Sequence, residues 1–197
     1  MFKLINLFVF VFFIFPASAQ SSLHWEKYRA SYVSISAEED VYSPKGFSLS
    51  TTRLFNKNVF GSADFTFVND SAVIDKVETE NDTTYFDLAI GIKHSLNDYT
   101  DVYSAAAVES YQNDFIALAN NQSKSDVGYS LTLGIRSVIY DKFEAHVNIS
   151  RLTYASQSRW ENLIGLAYHI NSNLSLEFTF VKSKFANKLM LGASVGF

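Results

Sequence analysis

From about residue 25 to the end of the chain, apolar side chains recur at every second position. Phe86, Leu88, Ile90 and Ile92 alternate with Tyr85, Asp87, Ala89, Gly91 and Lys93; Tyr129, Leu131, Leu133 and Ile135 alternate with Ser130, Thr132, Gly134 and Arg136. The same beat returns in Val59, Gly61, Ala63, Phe65 and Phe67, in Ala145, Val147 and Ile149, in Ile164, Leu166, Tyr168 and Ile170, and in Leu174, Leu176, Phe178 and Phe180. A period of two belongs to a strand with one apolar and one polar face, because successive side chains of an extended chain point to opposite sides. The pattern predicts ten strands, at 25–36, 46–55, 59–68, 83–94, 101–111, 127–139, 143–154, 160–170, 173–182 and 188–197. Lys27 and Arg29, Arg53, and the run Ala105, Ala106 and Ala107 blur the first, second and fifth, so eight strands is the alternative count.

Each segment has about the 9–11 residues that a tilted strand needs to cross a bilayer. The connections at 37–45, 69–82 and 112–126 are long and alternate with those at 56–58, 95–100, 141–142 and 171–172, which are six residues or fewer; 155–159 and 183–187, on the long-loop side, have five residues each. Transmembrane barrels sort their connections this way, with short turns on one rim and longer loops on the other, whereas the Greek-key crossovers of a soluble sandwich would break the order. Aromatic residues fall at both ends of the strands. Phe55, Phe60, Tyr140, Phe143, Tyr168 and Phe197 lie at the short-turn ends, and Phe47, Phe67, Tyr85, Phe86, Tyr111, Tyr129, Tyr154, Trp160 and Phe180 at the long-loop ends. Two such girdles are expected of a barrel in a bilayer.

Ahead of the strands, Met1 to Ala19 carries one charge, Lys3, then a run from Leu4 to Phe15 broken only by Asn6, then Pro16 and Ala17, Ser18 and Ala19. That is the layout of a secretory signal peptide cleaved after Ala19, leaving residues 20–197 as one exported domain. Its apolar run is too short for the roughly 20 residues of a membrane-spanning helix. Without Lys3, 15 of the 16 basic residues stand against 20 acidic ones, so this domain is acidic and offers no basic excess for nucleic acid. The absence of cysteine excludes both a disulfide scaffold and a lipid-anchored N-terminus.

If the apolar parity faces lipid, the other parity faces the lumen. It carries Lys27, Arg29, Asp64, Asp87, Lys93, Glu109, Arg136, Glu144, His146, Glu161, His169, Glu177 and Lys188. Mixed charges in a narrow barrel are expected to pair and fill it, since eight to ten strands enclose little beyond their own side chains. Four scattered histidines match no metal-ligand spacing, and no cofactor site is expected. Outside, Asp70, Asp75, Glu78, Glu80 and Asp82 make one loop acidic, and Lys182, Lys184 and Lys188 make the last hairpin basic. Lys182 and Lys184 are candidates for contact with lipopolysaccharide phosphates, and the acidic loop for contact through divalent cations.

Leu189, Leu191, Ala193, Val195 and Phe197 alternate at the C-terminus around Gly192. This resembles the terminal strand of Gram-negative outer-membrane proteins, and the resemblance implies that Gly192, Val195 and Phe197 are read by the barrel assembly machinery. From Tyr85 onward, segments such as "YSLTLGIRSVIYDKFEAHVNISRL" resemble the small outer-membrane β-barrel family of opacity-like, porin-like proteins. The resemblance implies an antiparallel up-and-down barrel in the outer membrane; outer-membrane lipid and lipopolysaccharide are its expected contacts, and its oligomeric state is left open with a monomer favoured. Its expected role is structural or surface-interacting and non-enzymatic; a narrow passive channel and a lipid A-modifying enzyme are the alternatives. For the enzyme, none of His24, His94, His146 or His169 has the Ser two residues later that the deacylase type carries.

Overall fold

The computed structural model describes residues 23–37, 43–74, 77–117, 120–155 and 157–197; the expected signal segment and its expected cleavage point lie outside them. Ten antiparallel strands close into a barrel: β1 (Lys27–Ala37), β2 (Lys45–Leu54), β3 (Val59–Ile74), β4 (Val77–Asn97), β5 (Thr100–Ala117), β6 (Asn120–Tyr140), β7 (Phe143–Tyr154), β8 (Ser158–His169), β9 (Leu174–Ser183) and β10 (Ala186–Gly196). Each strand pairs with its sequence neighbours, and β1 pairs with β10 from Lys27↔Gly196 to Ala37↔Ala186 to close the ring. Ten strands in up-and-down order are the count and topology that the alternation predicts.

Closure comes with a stagger. Ladder partners lead from Asp101 through Arg136, His146, Gly165, Thr179, Met190, Val33, Gly46, Val68 and Thr83 back to β5 at Asn113, twelve residues above the start (113 − 101). Such a shear tilts the strands by about 40°. It also fixes which faces meet. The outward positions include Leu88, Ile90, Ile92, Leu131, Leu133, Ile135, Ile149, Ile164, Leu176, Leu191 and Val195, all large apolar side chains left exposed. In water such a surface would be an aggregation hazard; in a bilayer it is the solvated face.

The short turns are built by side-chain amides. Asn56 Oδ1 accepts hydrogen bonds from the Asn58 and Val59 amides, Asn97 Oδ1 from the Tyr99 amide, and Asn171 Oδ1 from the Asn173 and Leu174 amides. In the two-residue turn between β6 and β7, Asp141 takes φ 36°, a left-handed conformation that Asp tolerates better than bulkier residues.

At the other rim the structure departs from the sequence reading. Residues 69–74, 77–82, 112–117 and 120–126, expected as loop, are strand. β2 ends its pairing at Lys45↔Asn69 and β7 at Tyr154↔Gly128, whereas β3, β4, β5 and β6 run on and pair with one another to Ile74↔Val77, Thr79↔Ala117 and Ala117↔Asn120. A four-stranded sheet therefore stands above the barrel wall. Its alternation was invisible because polar residues such as Asn81, Asp82, Asn113 and Asp114 occupy both faces; beyond the lipid, neither face needs to be apolar.

Candidate functional site

All thirteen residues expected in the lumen project into it, since each lies on the ladder parity opposite the exposed apolar band. The expected pairing is found mainly in the half nearest the short turns. Lys27 Nζ lies 2.6 Å from Glu177 Oε1, and Arg29 bridges Glu177 at 3.4 Å and Asp64 at 3.6 Å. Ser48 and Thr66 hydroxyls donate to Asp64 Oδ1 at 3.2 and 3.0 Å. Arg136 Nη2 lies 2.6 Å from Glu144 Oε1, and its Nε donates to the same oxygen at 2.8 Å. The side chains of both are nearly fully buried, so each holds the other at a depth where a lone ion would be strongly disfavoured.

The centre of this half is Trp25, which lies just before β1 rather than within it, as the sequence reading had it. Leu23 and Trp25 turn into the barrel mouth and pack with Phe60 and Tyr103. The indole Nε1 donates to Asp101 Oδ2 at 2.6 Å, and Lys93 Nζ approaches the same oxygen at 3.0 Å. The Arg136 guanidinium lies 4.5 Å from the Trp25 ring centroid, and its Nη2 donates to the His24 carbonyl at 3.1 Å. One indole thus takes a charge-assisted hydrogen bond at its edge and a cation over its face. Trp25, Tyr103 and Asp101 escaped the sequence reading as lumen groups; the signal for the last two was their parity with Glu109 on the same strand.

Rings fill the remaining width by lying over glycines on the next strand. A Cβ on Gly91 would collide with the Phe60 ring, one on Gly134 with Tyr103, one on Gly165 with His146, and one on Gly128 with Tyr154. All four glycines have lumen parity. The girdle assignment of Phe60, Tyr85, Tyr111 and Tyr154 is corrected accordingly: these rings point inward, with Tyr85 and Tyr111 centroids 5.4 Å apart and Tyr111 and Tyr154 6.5 Å apart. They look like girdle residues in sequence because they sit at the right height on their strands but at the wrong parity. Trp160, Tyr129, Phe86 and Phe47 do face outward at one rim, and Phe143, Tyr168 and Phe197 at the other.

Farther from the short turns the lumen changes character. Val33, Val68, Val181 and Met190 form a second buried apolar cluster, with Ile35, Tyr85 and Leu163 against it. Asp64, Asp87 and Glu109 are successive ladder partners across β3, β4 and β5, so carboxylates stand beside carboxylates where uniform pairing with cations was expected. Glu161 accepts from Arg159 Nε at 2.8 Å. Lys188 also faces inward, which removes it from the basic outer surface; Lys182 remains on the outward face and Lys184 in the β9–β10 turn.

One arrangement bears on catalysis. Ser175 Oγ lies 2.7 Å from His169 Nδ1, and His169 Nε2 lies 3.4 Å from Glu144 Oε2, beside a cavity of about 350 Å³ at the short-turn mouth lined by His24, Lys142, Glu144 and His169. A hydrolytic triad needs a nucleophile that substrate can reach and a carboxylate given over to the histidine. Here Ser175 is buried and Glu144 is held by Arg136. Among the described residues, no group of three or more His, Asp or Glu side chains is arranged to hold a metal ion.

Residues 7–190 match the sequence profile of the outer membrane protein beta-barrel domain family. No curated protein sequence matches the chain. Among solved structures, the attachment invasion locus protein Ail of Yersinia pestis, in complex with a heparin analogue, is similar over 89% of this chain and all of its own, with 15% identity and a TM-score of 0.50. The KdgM porin is similar over 86% of this chain and 99% of its own, with 12% identity and a TM-score of 0.48. Neisserial surface protein A is similar over 87% and 95%, with 12% identity and a TM-score of 0.42.

Proposed function

The chain belongs to the outer membrane protein beta-barrel domain family, and from that premise we propose that it is a monomeric, non-catalytic outer-membrane barrel whose work is done on its surface. The observation that carries this reading is the filled lumen. The Leu23, Trp25, Phe60 and Tyr103 cluster occupies one half and the Val33, Val68, Val181 and Met190 cluster the other, with ion pairs between. A solute path would have to pass both apolar clusters and break the Lys27 and Arg29 pairs with Glu177 that lie between them. What such a barrel presents instead is the sheet of β3–β6 above the long-hairpin rim, with its outward Glu80, Asp82 and Asp114. Bacterial barrels turn their longer connections outward, so this sheet would face the medium and the Trp25 end the periplasm. In this reading Gly192, Val195 and Phe197 serve assembly, although Gly192 also has a packing role: a Cβ there would collide with Ala30 and Ser31 across the closing seam.

Planar-bilayer recording of the purified barrel tests the proposal. The expected outcome is no steady unitary conductance. Single-channel steps that fall on substitution of Arg136 or Glu109 would replace the reading with that of a narrow channel. Lipid A mass spectra from cells with and without the protein should coincide; a shift of one acyl chain would make the Ser175, His169 and Glu144 arrangement an enzyme.

A further inference from the structure

The outward surface of β7–β10 near the long-hairpin rim differs from the rest of the lipid-facing band. Lys182 on β9 stands directly across the ladder from Asn162 on β8 and Asn187 on β10, all three outward and exposed. Two residues toward the membrane, Phe180 stands across from Ile164 and Leu189, an apolar row at the same three strands. One strand farther round, Arg151 on β7 is opposite Trp160, with its guanidinium 5.7 Å from the indole centroid. Lys184 follows in the β9–β10 turn. Among the described residues, no Asp or Glu occupies an outward position on β7, β8, β9 or β10, because Glu144, Glu161 and Glu177 all point into the lumen.

A cation on the lipid face is costly at mid-bilayer and tolerated only near the interface. Trp160, an interfacial girdle residue, places Arg151 and Lys182 at headgroup depth. There they face anionic headgroups, and a guanidinium suits a phosphate because it can donate two parallel hydrogen bonds. Two strand spacings and a two-residue stagger set the two cations roughly 12 Å apart, enough for two phosphates on one disaccharide headgroup. We infer that this face is a binding site for lipopolysaccharide: Arg151 and Lys182, with Lys184, take the lipid A phosphates, Asn162 and Asn187 take sugar or phosphate oxygens, and Ile164, Phe180 and Leu189 take the acyl chains beneath. On the opposite side of the rim the outward groups are Glu80, Asp82 and Asp114 on β4 and β5, which would meet the same headgroup only through divalent cations. The site depends on the barrel lying in the outer membrane and not on the state of its lumen, so a conducting barrel would leave it standing.

The experiment compares lipopolysaccharide retained per barrel after detergent extraction and washing for the unchanged protein, the pair Arg151→Glu with Lys182→Glu, and Lys57→Glu, an exposed residue of the short-turn rim. Heat-modifiable gel mobility reports folding of each. The expected result is at least a fivefold loss for the pair and none for Lys57→Glu. Should charge reversal prevent folding, Arg151→Gln with Lys182→Gln keeps polar side chains of similar size and should show the same loss. Retention unchanged in either folded pair overturns the site. Reloading the stripped barrel separates the source: lipid A should compete with fluorescent lipopolysaccharide and inorganic phosphate at equal concentration should not, and competition by phosphate alone overturns the assignment to lipid.

Discussion

Strands β4, β5 and β6 each run through two environments, and the two ends obey different rules. Below the rim, toward the short turns, inward groups are settled as pairs: Arg136 with Glu144, Lys93 with Asp101, Phe60 over Gly91. Above it the same strands carry amides, hydroxyls and carboxylates on both faces, joined by bonds such as Asn113 Nδ2 to Asn81 Oδ1 at 2.6 Å and Asn69 Nδ2 to Asp82 Oδ1 at 2.5 Å. The backbone ladder is continuous across the boundary. Strand structure is therefore set by pairing in both regions, and alternation records only where one face meets lipid and the other does not.

That contrast can be broken most forcefully at Glu144. Replacing it by Ala leaves Arg136 buried with His24 O as its remaining polar contact, and loss of one partner of a buried pair costs about 3–5 kcal/mol. Glu80→Ala, on the exposed outward face above the rim, should change stability by less than about 0.5 kcal/mol. Both are read by urea unfolding in lipid vesicles. If Glu144→Ala cost no more than Glu80→Ala, the short-turn half would not be the anchored region.

Trp25 sharpens the comparison from the chain's own end. Trp25→Ala removes the ring that Phe60, Tyr103 and Arg136 pack against and the donor to Asp101, a loss of about 3 kcal/mol by the usual cost of a large core aromatic. Trp25→Phe keeps most of the packing and loses the hydrogen bond, so it should fall about halfway between. Equal losses for the two would assign the stability to the Asp101 bond and not to the ring stack.

Much of this was legible in the residues. Ten strands, their order, the short turns and the inward face of every expected charge follow from a period of two and from where Asn and Asp sit. Tyr85 and Phe60 are placed in the girdles by strand height although their parity already sets them opposite the apolar face, whereas for Tyr111 and Tyr154 the alternation fades at the strand end and parity is not legible there. The carboxylate row of Asp64, Asp87 and Glu109 was hidden for a different reason: it forms across three strands, and only the register shows that these positions meet. Gly134 tests the part that parity can reach. Gly134→Val sets a branched side chain where the Tyr103 ring lies, and overpacking of that kind costs about 1–3 kcal/mol. Denaturant unfolding of the variant should show that loss, and Tyr103→Ala in the same chain should recover part of it; no recovery would mean that the glycine serves the backbone and not the ring.

The smallest effect belongs to the projecting sheet and calls for a local probe. Asn113 donates to Asn81 Oδ1 and to Thr83 Oγ1 at 2.9 Å, so its side chain ties β5 to β4 just above the barrel wall. Asn113→Ala removes two neutral hydrogen bonds at a half-buried site, a change of less than about 1 kcal/mol. Global unfolding should barely register it, because the barrel below stays closed while the sheet above opens in its own sub-global step. Amide exchange should register it: the amides of residues 79–83 and 112–116 should exchange several-fold faster, with those of 87–93 and 101–109 unchanged. Faster exchange in both sets would mean that the two regions open as one unit, and the distinction between an anchored lumen and an independent surface sheet would fall.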